Sequence, residues 1–220
     1  MTYLLHLESA TKVCSVALSC NGELIALREE STQEYSHSEK LTIFIQEVIR
    51  EAGITLRNLN GVSVASGPGS YTGLRIGVST AKGLCFALDI PLISVDALVS
   101  MAKIAQKKYP EQTLCPLIDA RRMEVYCGIY SSDLTLLKPI SADIIDENSY
   151  AEFEPFVYFG DGAEKLSSIW ESRKCLFDAS IHASAIGQIE TAYKKFLSNQ
   201  REDVAYFEPF YLKDFVSTQK

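Results

Sequence analysis

The chain has 220 residues, 47% of them hydrophobic, and a formal net charge of −7. That is enough apolar material for a sizeable core in one large domain or two small ones, and the acidic balance argues against a chain that grips a phosphate backbone by itself. No run reaches the ~20 apolar residues of a bilayer span, and the opening MTYLLHLESATK lacks the basic lead of a secretory signal, so a soluble cytoplasmic protein with no membrane contact is expected.

Tyr3 to Glu8 reads as a buried strand, and Val13 to Cys20 and Glu23 to Glu29 as alternating strands. Asn21-Gly22 between them is a two-residue hairpin signal, because both turn positions need positive φ. A plain two-residue turn pairs Leu18 with Ile25 and Val16 with Leu27, placing all four on one face. The stretch SHSEKLTIFIQEVIREAG is an amphipathic helix with a Ser36–Glu39 capping box, a Gly53 stop, and one stripe of Leu41, Phe44, Ile45, Val48, Ile49 and Ala52. Gly61 to Ser66 then forms a strand, Thr72 to Leu88 a helix, and Pro91 to Val95 a strand. Asp96 caps a helix that reaches Lys107.

QKKYPEQT, Gln106 to Thr113, breaks the pattern and divides the chain into residues 1–108 and 109–220. Strands follow at Leu114 to Ile118, Glu124 to Tyr130, Leu134 to Pro139, Phe156 to Phe159 and Cys175 to Phe177. A helical turn is expected near Asn148, and helices at Ala163 to Trp170 and Ala183 to Leu197. Each half therefore orders its elements as three strands, helix, strand, helix, strand. The two openings also echo each other, with an acid (Glu8, Asp119) ending the first strand before a turn. The expected fold is α/β, one unit used twice.

The six cysteines form no CxxC pair and lie in apolar runs, so they read as buried reduced thiols with no metal cluster. The histidines His6, His37 and His182 include no pair four apart, which removes an HExxH-type metal site; His37 is followed at i+4 by Leu41. Ser70 lies outside a GxSxG elbow, and Cys85, mid-helix among apolar neighbours, is a quiet thiol.

The loop GPGSYTG spaces its glycines at 67, 69 and 73, which fits neither a Walker A loop nor a dinucleotide fingerprint. A phosphate could still meet the free N–H groups at the next helix, against the plainer reading of a tight strand-to-helix turn. Along that helix Gly73, Gly77, Ala81 and Cys85 form a ridge of small side chains. Glycines within a helix cost about 0.5–1 kcal/mol each relative to alanine, which implies close approach, either to the chain's own sheet or to another chain. Glu8 and Asp119 are candidates for facing one another across a cleft and contacting a nucleotide. Gly160 and Gly162 in YFGDGAEKL are further nucleotide candidates, with Asp161 placed to cap.

HSEKL, ASGPGSYTGLRIGVSTAKGL, PLISVDAL, PLIDARRMEVYCGIY, GDGA and PFYLK occur in an order that resembles the TsaB/YeaZ family over nearly the whole chain. The resemblance implies an actin-like/Hsp70-like ATPase fold of two similar α/β halves. It also implies a noncatalytic subunit that pairs with a TsaD-like threonylcarbamoyltransferase in tRNA threonylcarbamoyladenosine synthesis. A TsaE-like ATPase joins that assembly, and tRNA is met through the complex. TsaD carries an HxxxH metal motif where this chain has His37 and Leu41, and the family's Asp-Thr-Ser after the first strand is here Glu8-Ser9-Ala10. The resemblance places pairing on the first two helices, hence on His37, Leu41, Phe44, Gly73, Leu74, Gly77 and Ala81; a homodimer through the same helices when no partner is present is a separate reading. No catalytic residue and no metal ligand are assigned; ATP or ADP is expected at the complex interface if anywhere. The alternative is a glycoprotease-type metallopeptidase or an ATP-hydrolysing enzyme of the same fold.

Overall fold

The structure is a computed structural model that describes residues 1–31 and 37–213, without the side chains of residues 37 and 38. The Ser36 cap and the His37 side chain therefore lie outside the described residues.

The first half contains β1 (Tyr3–Glu8), β2 (Val13–Cys20), β3 (Glu23–Ser31), α1 (His37–Glu51), β4 (Leu59–Ala65), α2 (Tyr71–Leu88), β5 (Leu92–Val95) and α3 (Ala97–Lys108). Asn21 and Gly22 take φ of 51° and 85°, as the hairpin requires. The pairing beyond the turn corrects the expected register. Ser19 faces Leu24 but Leu18 faces Ala26, so Ile25 is a bulge and Val16 comes to face Arg28. The shift sends Leu27 to the opposite face, beside Ala17, while Leu24 and Ile25 stay exposed on this edge strand. Gly53, at φ 66°, ends α1 as expected, with the Ile54 N–H returning to the Ile49 carbonyl. Asp96 caps α3, its carboxylate accepting from the N–H groups of Leu98 and Val99.

The second half supplies β6 (Thr113–Asp119), β7 (Glu124–Tyr130), β8 (Leu136–Ile144), β9 (Phe156–Phe159), β10 (Cys175–Asp178) and α4 (Ile189–Leu197). The third strand runs further along the chain than expected, and the helix expected over 163–170 is reduced to a 3₁₀ turn, Glu164–Leu166. The last helix begins only at Ile189, after a 3₁₀ turn at Ala185–Gln188. The duplication holds in topology. The sheets run β3-β2-β1-β4-β5 and β8-β7-β6-β9-β10, with antiparallel pairs on one side of the first strand and parallel pairs on the other. Both sheets carry the same connectivity, one α/β unit used twice.

Three large cores and two small clusters hold the described residues together. Leu5, Leu7, Val16 and Leu18 pack against Leu41, Ile45 and Val48 of α1 and Val78, Ala81 and Cys85 of α2, so both helices cover one face of the first sheet. In the second core, α3 lies between the halves: Leu98, Met101 and Ala102 join Ala65 and Leu74 to Leu114, Ile118, Val157 and Phe159. The third gathers Phe156, Tyr158, Leu166 and Trp170 behind the second sheet. The Ala185–Gln188 turn and α4 return across the expected boundary to pack on the first sheet.

Tyr130 leaves one loose end in the second core. Its hydroxyl is buried and has no hydrogen-bond partner among the described residues. A buried orphan hydroxyl is unfavourable, so Tyr130→Phe should leave stability unchanged or raise it by up to about 1 kcal/mol in urea unfolding.

Candidate functional site

The glycine loop lies between β4 and α2, with Ser70 as the N-cap of α2, accepting from the Gly73 N–H at 3.2 Å. Its glycines let the chain's own backbone come close. The Ser70 N–H donates to the Ala10 carbonyl at 2.6 Å, and a Cβ on Gly69 would collide with that carbonyl. Gly67 takes φ 111°, and a Cβ there would lie 2.6 Å from the Phe210 carbonyl oxygen; the Phe210 N–H donates to Ser66. The β1–β2 turn and a C-terminal strap, residues 201–213, thus lie directly against this loop.

Glu8 is fully buried. Its carboxyl accepts from the Ala10 N–H at 2.9 Å and faces the Gln188 side-chain amide at 3.3 Å. Burial, aided by nearby Asp96, pushes it from 4.5 up to about 7, although the Ala10 and Ser9 N–H groups and the Gln188 amide pull it down. Gln188 continues a buried chain of polar groups. Its amide donates to the Leu7 carbonyl and accepts from Ser63, and Ser63 and Ser19 flank the two ring nitrogens of His6. Because Ser63 donates to Gln188, His6 must donate from Nδ1 and accept from Ser19 at Nε2. Burial holds this imidazole down at about 3, and so neutral.

Asp119 is exposed, pairs with Lys165 and accepts from the Arg121 N–H at 3.2 Å. Of the two strand-end acids each is bound to its own neighbours, and only Asp119 reaches solvent. Gly160 and Gly162 stand where β6 comes close. A Cβ on Gly160 would strike the Leu117 carbonyl, and one on Gly162 would lie 2.9 Å from the Ile118 carbonyl carbon, so both admit β6. Asp161 caps no helix. It is exposed and accepts from the Asp119 N–H at 3.1 Å.

The small ridge of α2 faces inward. Gly73, Leu74, Gly77, Ala81 and Cys85 are buried, and the Ser9 hydroxyl reaches across to donate to the Gly73 carbonyl. A Cβ on Gly77 would collide with that hydroxyl. The ridge therefore meets the chain's own sheet, which corrects its placement, together with Leu74 and core residue Leu41, on a docking surface. Burial pushes the Cys85 thiol up to about 12, as its apolar setting implied. The C-terminal strap covers one flank of α2. Lys82 donates to the carbonyls of Ala205 and Phe207, and Tyr211 lies against Tyr71 and Arg75. The outward face of α2 remains open, with Thr72, Ser79, Gly83, Phe86 and Ala87 exposed and Phe86 at 85%. Thr42, Ile43 and Gln46 are exposed on α1, where Phe44 is half-buried. Sequence reasoning missed the strap and Gln188; only the closing PFYLK pointed to the former.

Two cavities, of about 340 and 530 Å³, lie elsewhere. Pro91, Phe196 and Arg201 line the first; Tyr109, Phe156 and Arg173 line the second. Among the described residues no helix is long and apolar enough to cross a membrane.

A family model described as TsaD, tRNA N6-adenosine threonylcarbamoyltransferase, matches residues 30–214. The tRNA threonylcarbamoyladenosine biosynthesis protein TsaB of Escherichia coli is 30% identical over 99% of this chain and 97% of its own length. The structure of YeaZ from Pseudomonas aeruginosa superposes with a TM-score of 0.82 at 26% identity, over 96% of this chain and all of that one. The (R)-2-hydroxyglutaryl-CoA dehydratase component A of Acidaminococcus fermentans shares the fold alone, with a TM-score of 0.54 at 11% identity over 90% of this chain and all of the other.

Proposed function

The chain belongs to the TsaB/YeaZ family, and we propose on that premise that it is the noncatalytic subunit of a tRNA threonylcarbamoyladenosine synthesis complex, pairing with a TsaD-like transferase. The end-to-end match with the TsaB protein of Escherichia coli carries this reading. Internal packing at the candidate site supports it. The glycine loop holds the chain's own backbone, Glu8 is sealed, and Leu41, which stands where TsaD has its second motif histidine, is a core side chain. A TsaE-like ATPase then joins the pair, tRNA is met through the partner, and ATP or ADP belongs at the joint between subunits. With no partner present, the same face serves a homodimer.

Pairing uses the open faces of α1 and α2, where Phe86 and Ile43 are the large apolar side chains available as anchors. Phe86→Asp should weaken co-elution with a TsaD-like chain by about 2 kcal/mol, roughly thirtyfold, with the melting temperature of the isolated chain unchanged. If the wild type does not co-elute, the assignment fails; if the variant co-elutes undiminished, the docking face is misplaced.

A further inference from the structure

Residues 180–188 connect β10 to α4 and cross from the second half of the molecule to the first. His182 Nε2 lies 3.3 Å from Glu29 Oε1 on β3, and Ser184 donates to the same carboxylate at 2.7 Å. The Ala185 N–H donates to Ser15 on β2 at 3.0 Å. Gln188 reaches the Leu7 carbonyl and Glu8 on β1 and accepts from Ser63 on β4. Gly187 sits against the Ser100 carbonyl of α3, where a Cβ would collide. At its start, the Ile181 carbonyl accepts from the Gly160 N–H in the second half. One segment of nine residues thus ties four strands and a helix of the first half to the second sheet.

Its grips are ionisable. We propose that residues 180–188 form a proton-dependent latch, which holds the two halves together at lower pH and loosens as pH rises through neutrality. The groups around Glu8 are Asp96 at the start of α3, neutral His6 on β1 and the Cys14 thiol on β2, which burial pushes up to about 11. Lys195 of α4 acts on Asp96, which burial nonetheless pushes up to about 6. Across the sheet, the Glu29 hydrogen bond raises His182 above 6.5, and the same bond lowers Glu29.

The signs agree. Glu8 ionises near 7 when latched and lower once water reaches it, so its preference for the latched state is lost as pH rises to about 7. The contribution of His182 is present below 6.5 and disappears as pH passes its raised value. Glu29 stays ionised across this window, so it does not oppose the trend.

Hydrogen exchange of residues 181–197 in the full chain tests the latch, with rates corrected for intrinsic pH dependence. Protection should fall about tenfold between pH 6 and pH 8 and should stay well below that of the α1 and β4 amides, which open only with the whole chain; protection equal to theirs at every pH would mean global unfolding and no latch. Glu8→Gln should remove most of that change, and Glu8→Gln with His182→Gln all of it. Protection that is constant with pH in the wild type, or a change in Glu8→Gln as large as in the wild type, would overturn the proposal. Should the variants fail to fold, the carboxyl resonance of Glu8 in the wild type decides: a midpoint near neutrality supports the latch, and one in the usual carboxylate range defeats it.

Discussion

Gly77→Leu is expected to unfold the chain rather than to detach it from a partner. The position lies on the inner side of α2, where even a Cβ would collide with the Ser9 hydroxyl and come within 3.5 Å of Val64. Ser9 has little freedom to move aside, being fully buried and donating to the Gly73 carbonyl. A leucine adds three further carbons to that space and would lift α2 off β4, exposing Val78, Ala81 and Cys85, which complete the first core. Overpacking of a closed interior typically costs 1–3 kcal/mol, and the loss of a helix–sheet contact puts this case at or above about 3 kcal/mol. Urea unfolding measures it directly. Gly83→Leu is the contrast. Nothing lies within 4 Å of a Cβ there and the residue is exposed, so that variant should fold normally and affect only what docks on the outer face. Gly77→Leu with an unchanged urea midpoint would mean that the ridge does not pack inward.

The small ridge also marks a limit of what sequence can tell. A four-residue repeat of small side chains predicts close approach but not the identity of what approaches, and here it is the chain's own β1–β2 turn. Elements fixed by local chemistry were legible: the Asn21-Gly22 turn, the Gly53 stop, the Asp96 cap and the apolar stripe of α1. The repeated element order foretold two sheets of equal topology. The register of β3 was not legible, because a bulge at Ile25 leaves no mark in an alternating pattern. The second half lost its helix over 163–170 because Trp170 and Leu166 reach the third core from a 3₁₀ turn and loop. Glu8 was the hardest to read. A strand-end acid before a turn looks the same whether it faces a cleft or is sealed, and the residue that seals it, Gln188, lies 180 positions away.

The burial of that carboxyl leads to an expected result for the whole molecule. Holding Glu8 ionised in the interior costs about 3 kcal/mol, at about 1.4 kcal/mol per pH unit between its ordinary 4.5 and the 7 it takes when folded. Below 4.5 it is protonated whether folded or unfolded and costs nothing; as pH rises to 7 only the unfolded chain ionises freely, so stability falls; above 7 the penalty is constant. Glu8→Gln keeps an acceptor for the Ala10 N–H and cannot ionise. Its stability minus that of the wild type should therefore rise by about 3 kcal/mol from pH 4 to pH 8, whatever fixed offset the new amide brings. Other groups titrate over this range. Asp178, held well below the usual carboxylate range by Lys108 and Ser180, weakens both proteins in acid. Such groups are common to the two chains and cancel in the difference, so urea unfolding of the pair at several pH values isolates Glu8. A difference that stays flat from pH 4 to pH 8 would place this carboxyl in contact with water, and Gln188 would then be a surface contact and not the seal of the first sheet.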